Sequence, residues 1–258
     1  SQPYNRQSLI YYYLIVIPMF QDIPLQLTDA QRQHAQAVTA ALAANRSKFT
    51  ALLGEPYRHT QPYVLNFTQQ NSALTTIDMQ QPQQLWQYIQ TQVQQHGTTY
   101  ALGNWAENRT IYQSPLFKTG NQEARSVHLA FDLWLKPGTP LYATYPAIIL
   151  SAQNNDQFLD YGPTIILQHE INGLTFYSLY GHLRTDSLQH KKPGQVITQG
   201  EQFAWVGADT ENGHWAPHTH VQLITDLLGH NGDFPGVVRP SEQADYLTIC
   251  PNPQWFIS

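Results

Sequence analysis

From about Ala101 onward the chain is a series of short β-type runs punctuated by turn signals, and this pattern most constrains what it can fold into. Lys136-Pro137-Gly138, Tyr161-Gly162-Pro163, Asn172-Gly173, Lys192-Pro193-Gly194 and Gln199-Gly200 break the runs. Between them Ile165–Leu167, Thr175–Leu179 and Phe203–Val206 read as strands. Asn172-Gly173 lies between the first two, and both of its residues tolerate the positive φ that a tight hairpin turn needs, so the two strands are expected to pair antiparallel. No repeat of solenoid or propeller length is present. The expected fold class is α+β: a mainly antiparallel β domain over residues 101–258, preceded by a mixed α/β extension over residues 1–100.

The first hundred residues have a different texture. Leu9–Ile17 is rich in β-branched and aromatic residues and reads as one or two buried strands. Thr28 followed three residues later by Gln31 has the form of a capping box, and the Ala-rich stretch beyond it predicts a helix to about Leu53, stopped by Gly54. Tyr63–Phe67 reads as a strand. Leu85, Trp86, Ile89 and Val93 recur at helical spacing within a glutamine-dense segment, predicting an amphipathic helix with a polar outer face.

Composition excludes some function classes. With a net charge of −5 and 12% charged residues there is no broad basic face for nucleic acid. The most apolar run, Leu9–Phe20, is too short to span a bilayer and contains Pro18. It lacks the basic flank and small-residue cleavage site of a signal peptide, so the compartment, cell envelope or cytoplasm, stays open. The chain starts at Ser1, which reads as a processed or excised piece of a longer protein. The single cysteine, Cys250, makes no internal disulfide and reads as a small buried hydrophobe.

The eleven histidines matter through their arrangement. His128 and Asp132 sit in an apolar run, VHLAFDLWL, where β-type surroundings favour a strand with residues 128, 130 and 132 on one face. Two polar groups there need a partner, and a simple His–Asp hydrogen bond and a metal ion satisfy them equally well. His218 and His220 alternate onto one face about 6.6 Å apart along a strand, so that one can ligate while the other lies over a reacting water. His182 follows Gly181 at the end of a strand-like run. Two histidines and an aspartate suit a hydrolytic zinc centre, whereas structural zinc would call for cysteines. His34, His59, His96, His169, His190, His214 and His230 read as structural, with His214 near enough in sequence to support the site. Neither a phosphate-binding glycine loop nor a nucleophile elbow is present.

Taken in order, His128-x-x-x-Asp132, Tyr180-Gly181-His182-Leu183 and Pro217-His218-Thr219-His220 resemble the lysostaphin/LytM family of zinc metallopeptidases. Pro137–Ala143 and the stretch from Lys192 to Gly207 look like that family's turn-and-strand and hairpin segments, so the resemblance covers roughly residues 125 to 225. It implies a small antiparallel core with a groove, zinc held by His128, Asp132 and His220, and His182 and His218 as the pair that activates water and stabilises the oxyanion. Either histidine fits either role. The implied activity is hydrolysis of peptide bonds, in peptidoglycan cross-links or similar short peptides. Ala130, Thr219 and Val221-Gln222 stand where the family commonly has Gly, Leu and Phe-Glu. Gly103–Arg109, Tyr112-Gln113-Ser114, Asp233–Val238 and Cys250-Pro251 are further similar to a peptidase-like module found between a kinase-like domain and an aminotransferase in large fusion proteins. That second resemblance implies an intracellular amidohydrolase acting on a small amine-containing substrate, within a larger multidomain protein. A non-catalytic, peptidase-like binding module is the remaining alternative.

Overall fold

The computed structural model describes residues 25–78, 81–110 and 123–257, so the strands expected over Leu9–Ile17 lie outside the described residues. In chain order the strands are β1 (Tyr63–Leu65), β2 (Ala101–Gly103), β3 (Val127–His128), β4 (Phe131–Trp134), β5 (Pro140–Tyr142) and β6 (Ala147–Asn155). They continue as β7 (Gly162–Ile171), β8 (Leu174–Gly181), β9 (Val196–Ile197), β10 (Gln202–Trp205), β11 (Thr219–Ile224) and β12 (Val237–Val238). Among the described residues three α-helices accompany them: α1 (Asp29–Ala44), α2 (Pro82–Gln95) and α3 (Gln243–Ile249).

Among the described residues, eight strands form one sheet in the order β1-β2-β4-β11-β8-β7-β6-β9. The long pairings are antiparallel, as expected from the turn-rich sequence. Asn172 and Gly173 both have positive φ (52° and 77°) and close the β7–β8 hairpin. One pairing departs from the antiparallel rule: β1 runs parallel to β2, because α2 connects them as a crossover.

Alternation divides the sheet into two faces. Leu102, Phe131, Leu133, Ile165, Leu167, Tyr180 and Val221 point into the main core, which β5 and β10 cover with Leu141, Phe203 and Ala204. Asp132, Trp134, His220 and Gln222, one residue out of step, are buried on the opposite face. There α2 buries Leu85, Ile89 and Val93 beside Trp134 and Trp215, the helical spacing seen in the sequence.

Two expectations need correction. Helix α1 has the Thr28–Gln31 capping box but stops at Ala44, not near Leu53. The Asn45 side chain bonds back to Ala41 O, a single 3-10 turn follows, and Leu52 and Leu53 then enter the main core, so burial overrides local helix propensity. His128 and Asp132 do not share one strand: Leu129-Ala130 separates β3, which pairs with β12, from β4 in the main sheet.

His169 has no part in the site. It is buried, bonded to Pro146 O (2.9 Å) and Ser178 Oγ (2.7 Å) and stacked on Phe176, and burial pushes its pKa down to about 4. Because the unfolded residue titrates near 6.5, only the unfolded chain takes up this proton between pH 6.5 and 4, so stability falls as pH falls through that window. His169→Gln is expected to remove about 3 kcal/mol of the stability loss between pH 7 and pH 4, read from urea unfolding at both pH values. Identical pH dependence in the two proteins would contradict it.

Candidate metal and catalytic centre

The break at Leu129-Ala130 brings the first pair of site residues together. A continuous strand would spread residues 128 and 132 roughly 13 Å apart, too far to share one ion. With the bend, His128 Nε2 lies 3.3 Å from Asp132 Oδ1. Asp132 on β4 is the register partner of His220 on β11, and His220 Nδ1 is also 3.3 Å from Oδ1. The two imidazole nitrogens are 3.2 Å apart, and all three residues are buried.

The partners on the far side of each ring fix the tautomers. His128 Nδ1 donates to Asn104 O (3.1 Å), which leaves Nε2 as a bare lone pair facing inward. The Gln222 amide nitrogen donates to Pro235 O (3.1 Å), so its oxygen accepts from His220 Nε2 (2.8 Å) and His220 Nδ1 is the bare atom. Asp132 Oδ1 is buried and accepts no hydrogen bond. Three acceptor atoms therefore converge on one point, all within 4.8 Å of one another. Such a trio repels itself unless a cation lies between its members, and two imidazoles with one carboxylate are a donor set suited to zinc. His128, Asp132 and His220 are the residues able to hold a metal here.

His182 and His218 stand beside this trio with ring centroids 4.1 Å apart. His182 follows the last residue of β8 in the left-handed region (φ 60°), where its backbone N–H donates to Tyr161 O. Its Nδ1 donates to Asn212 O (2.8 Å), and His218 Nδ1 donates to Ala216 O (2.7 Å). Both thus keep an unprotonated Nε2, that of His218 lying 3.8 Å from Asp132 Oδ1. Trp134 stacks on the His218 ring at 4.2 Å and holds its plane. Gly181 is required by close approach, since a Cβ there would lie 2.5 Å from the Tyr161 ring.

Burial sets the charge states. It lowers the pKa of His128 to about 4, helped by Arg109, and that of His218 to about 4. His182 lies well below its ordinary value through burial and the neighbouring His218. Burial alone would raise Asp132, yet the charges of His128 and Arg109 hold it well below the usual carboxylate range. With His128 itself neutral near pH 7, the Arg109 guanidinium is the partner that keeps Asp132 ionised, at 2.5 Å from Oδ2.

A cleft of about 460 Å³ opens onto His128, His182 and His220, walled by Phe158, Tyr161 and Pro235. Tyr161 was read in the sequence only as part of a turn. Its hydroxyl donates to Phe234 O (2.9 Å) and sits 3.4 Å from His220 Nε2. Glu107 and Arg109 also went unassigned, because nothing in their spacing places them behind Asp132. His214 is exposed at the rim, 5.6 Å from the Phe158 ring, so it does not support the buried centre. Cys250 is buried, with its pKa pushed up to about 12 by burial.

No curated protein matches the sequence. Among solved structures, a zinc-containing peptidase from Vibrio cholerae is similar at 22% identity over 42% of this chain and 30% of that one, with a TM-score of 0.32. The catalytic domain of the antimicrobial peptidase lysostaphin from Staphylococcus simulans is 20% identical over 49% of this chain and 90% of that one (TM-score 0.33). A putative peptidase M23 from Pseudomonas aeruginosa is 18% identical over 56% and 51% of the two chains (TM-score 0.33). The stretch from His128 to His220 that builds the converging cluster lies wholly within residues 126–232, which match the model of Peptidase family M23.

Proposed function

We propose that this protein is a zinc metallopeptidase in which His128 Nε2, Asp132 Oδ1 and His220 Nδ1 hold the ion. The observation that carries the reading is the convergence of three buried, unprotonated donor atoms, inside the segment that matches the M23 model. Zinc in such a set polarises a scissile carbonyl and lowers the pKa of water. The Nε2 atoms of His182 and His218 do the proton work: one accepts a proton from the attacking water and passes it to the leaving amine. The other takes up a proton from solvent through the open cleft and, as an imidazolium, donates to the developing oxyanion, returning that proton when the carbonyl re-forms. Their Nδ1 bonds to Asn212 and Ala216 carbonyls hold both rings during either transfer and stabilise the imidazolium that forms. In this reading residues 101–258 form the peptidase domain, and β1 and α2 of the preceding extension, residues 1–100, brace it.

The substrate class is the one the family resemblance implies, an extended short peptide such as a peptidoglycan cross-link, and the open cleft beside the centre gives it access. Zinc-loaded protein is expected to release new peptide fragments from purified peptidoglycan, detected by mass spectrometry, while His218→Ala releases none. Zinc-bound protein that yields no fragments would move the assignment to the second reading, an amidohydrolase of a small amine-bearing compound. The observation favouring that second reading is the pair Asp160 and Asp233, two carboxylates lining the same cleft.

A further inference from the structure

Arg109 is 2% exposed, and a guanidinium so completely removed from water is retained only when its charge is matched. Two carboxylates match it. Nη1 donates to Asp132 Oδ2 at 2.5 Å, and Nε donates to Glu107 Oε2 at 2.9 Å. Nη2 donates to Asn104 O. The second Glu107 oxygen accepts from the Phe67 backbone N–H (2.9 Å), which ties the arrangement to the chain just beyond β1. Space for it exists only because β2 ends in Gly103, where a Cβ would lie 2.6 Å from Arg109 Nη2.

This geometry has two consequences for Asp132. Its Oδ2 is committed to the arginine, so only Oδ1 is presented to the three-atom centre. A lone cation so close to a dication site would oppose metal binding by simple repulsion, and Glu107 cancels that charge from behind. We infer that Glu107 and Arg109 form a charge-balanced clamp on Asp132, holding it as a one-oxygen ligand without adding net positive charge. They are positioning residues, and the inference rests on the zinc assignment proposed above. The same short segment supplies Asn104 O to His128 Nδ1, so two of the three donor residues are oriented by residues 104–109, which lie outside the 126–232 family match.

Zinc affinity by chelator competition and the visible spectrum of the Co²⁺-substituted protein test the inference. Glu107→Gln keeps the size and one acceptor oxygen but leaves the arginine uncompensated, so zinc binding is expected to weaken about 10- to 100-fold. In Glu107→Gln/Arg109→Met the clamp is gone. The Co²⁺ absorption is then expected to lose intensity, as Asp132 becomes free to bind through both oxygens and coordination number rises. If circular dichroism shows the double variant unfolded, Arg109→Lys, which keeps the charge but loses the fork, provides the same spectral comparison. A Glu107→Gln affinity within about threefold of wild type would overturn the charge balance, and superimposable Co²⁺ spectra would overturn the clamp. Failure of the unaltered protein to bind one equivalent of zinc would instead defeat the zinc assignment itself.

Discussion

Replacing His220 with alanine is expected to leave a folded protein that holds no zinc and hydrolyses no peptide bond. The argument is one of donor count. His128 and Asp132 alone offer two atoms where three converge, and a two-donor remnant does not compete with water for the ion. Losing the ion removes carbonyl polarisation and water activation together, so hydrolysis should fall at least about 10⁴-fold. Metal content by plasma mass spectrometry, with activity assayed on the same preparation, checks the expectation. Stoichiometric zinc in His220→Ala would mean that the ion sits elsewhere. Dialysis of the unaltered protein against a chelator should reproduce the loss, and re-adding zinc should reverse it.

His182→Ala and His218→Ala are expected to give a different pattern: one zinc retained, with kcat lowered about 10²- to 10⁴-fold and KM little changed. Neither residue belongs to the converging trio, and the His218 nitrogen nearest the carboxylate is 3.8 Å from it. Both rings stand beside the trio with their Nδ1 atoms committed to backbone carbonyls, so each substitution removes a proton carrier and leaves the donor set intact. Metal loss in either variant would show that the histidine ligates. Full activity in both would leave the chemistry without a base from this pair. Trp134 is stacked on the His218 ring, so the His218 substitution should perturb tryptophan fluorescence.

How much of this was legible in the sequence differs from residue to residue. The β7–β8 hairpin was readable because Asn172-Gly173 meets a local backbone demand, and α2 because its apolar spacing matches a helix packed on one side. The Thr28–Gln31 cap is likewise a local device. His128 and Asp132 stood out because polar groups are costly inside an apolar run without partners, His218 and His220 because they alternate onto one face, and His182 only through the family resemblance. The fold brings these five candidates together. What stayed hidden depends on tertiary contact. The end of α1 was missed because Leu52 and Leu53 gain more from the main core than from another helical turn. The parallel pairing of β1 with β2 depends on where α2 lands. Glu107 and Arg109 lie more than twenty residues before Asp132, and no local rule links a surface-type pair to a buried carboxylate across that gap.

The bend at Leu129-Ala130 also says where such a chain tolerates change over evolutionary time. The distance between the first two donor atoms is set by a bend in the backbone only two residues long, Leu129 and Ala130, both buried, with no slack to absorb an added or lost residue. The Asn172-Gly173 turn, exposed at the far end of its hairpin, leads away from the centre and can lengthen without moving either partner strand's inward end. Insertions and deletions among related chains should therefore accumulate at the hairpin tips and vanish between residues 128 and 132, and variation in length becomes a map of the centre's geometry.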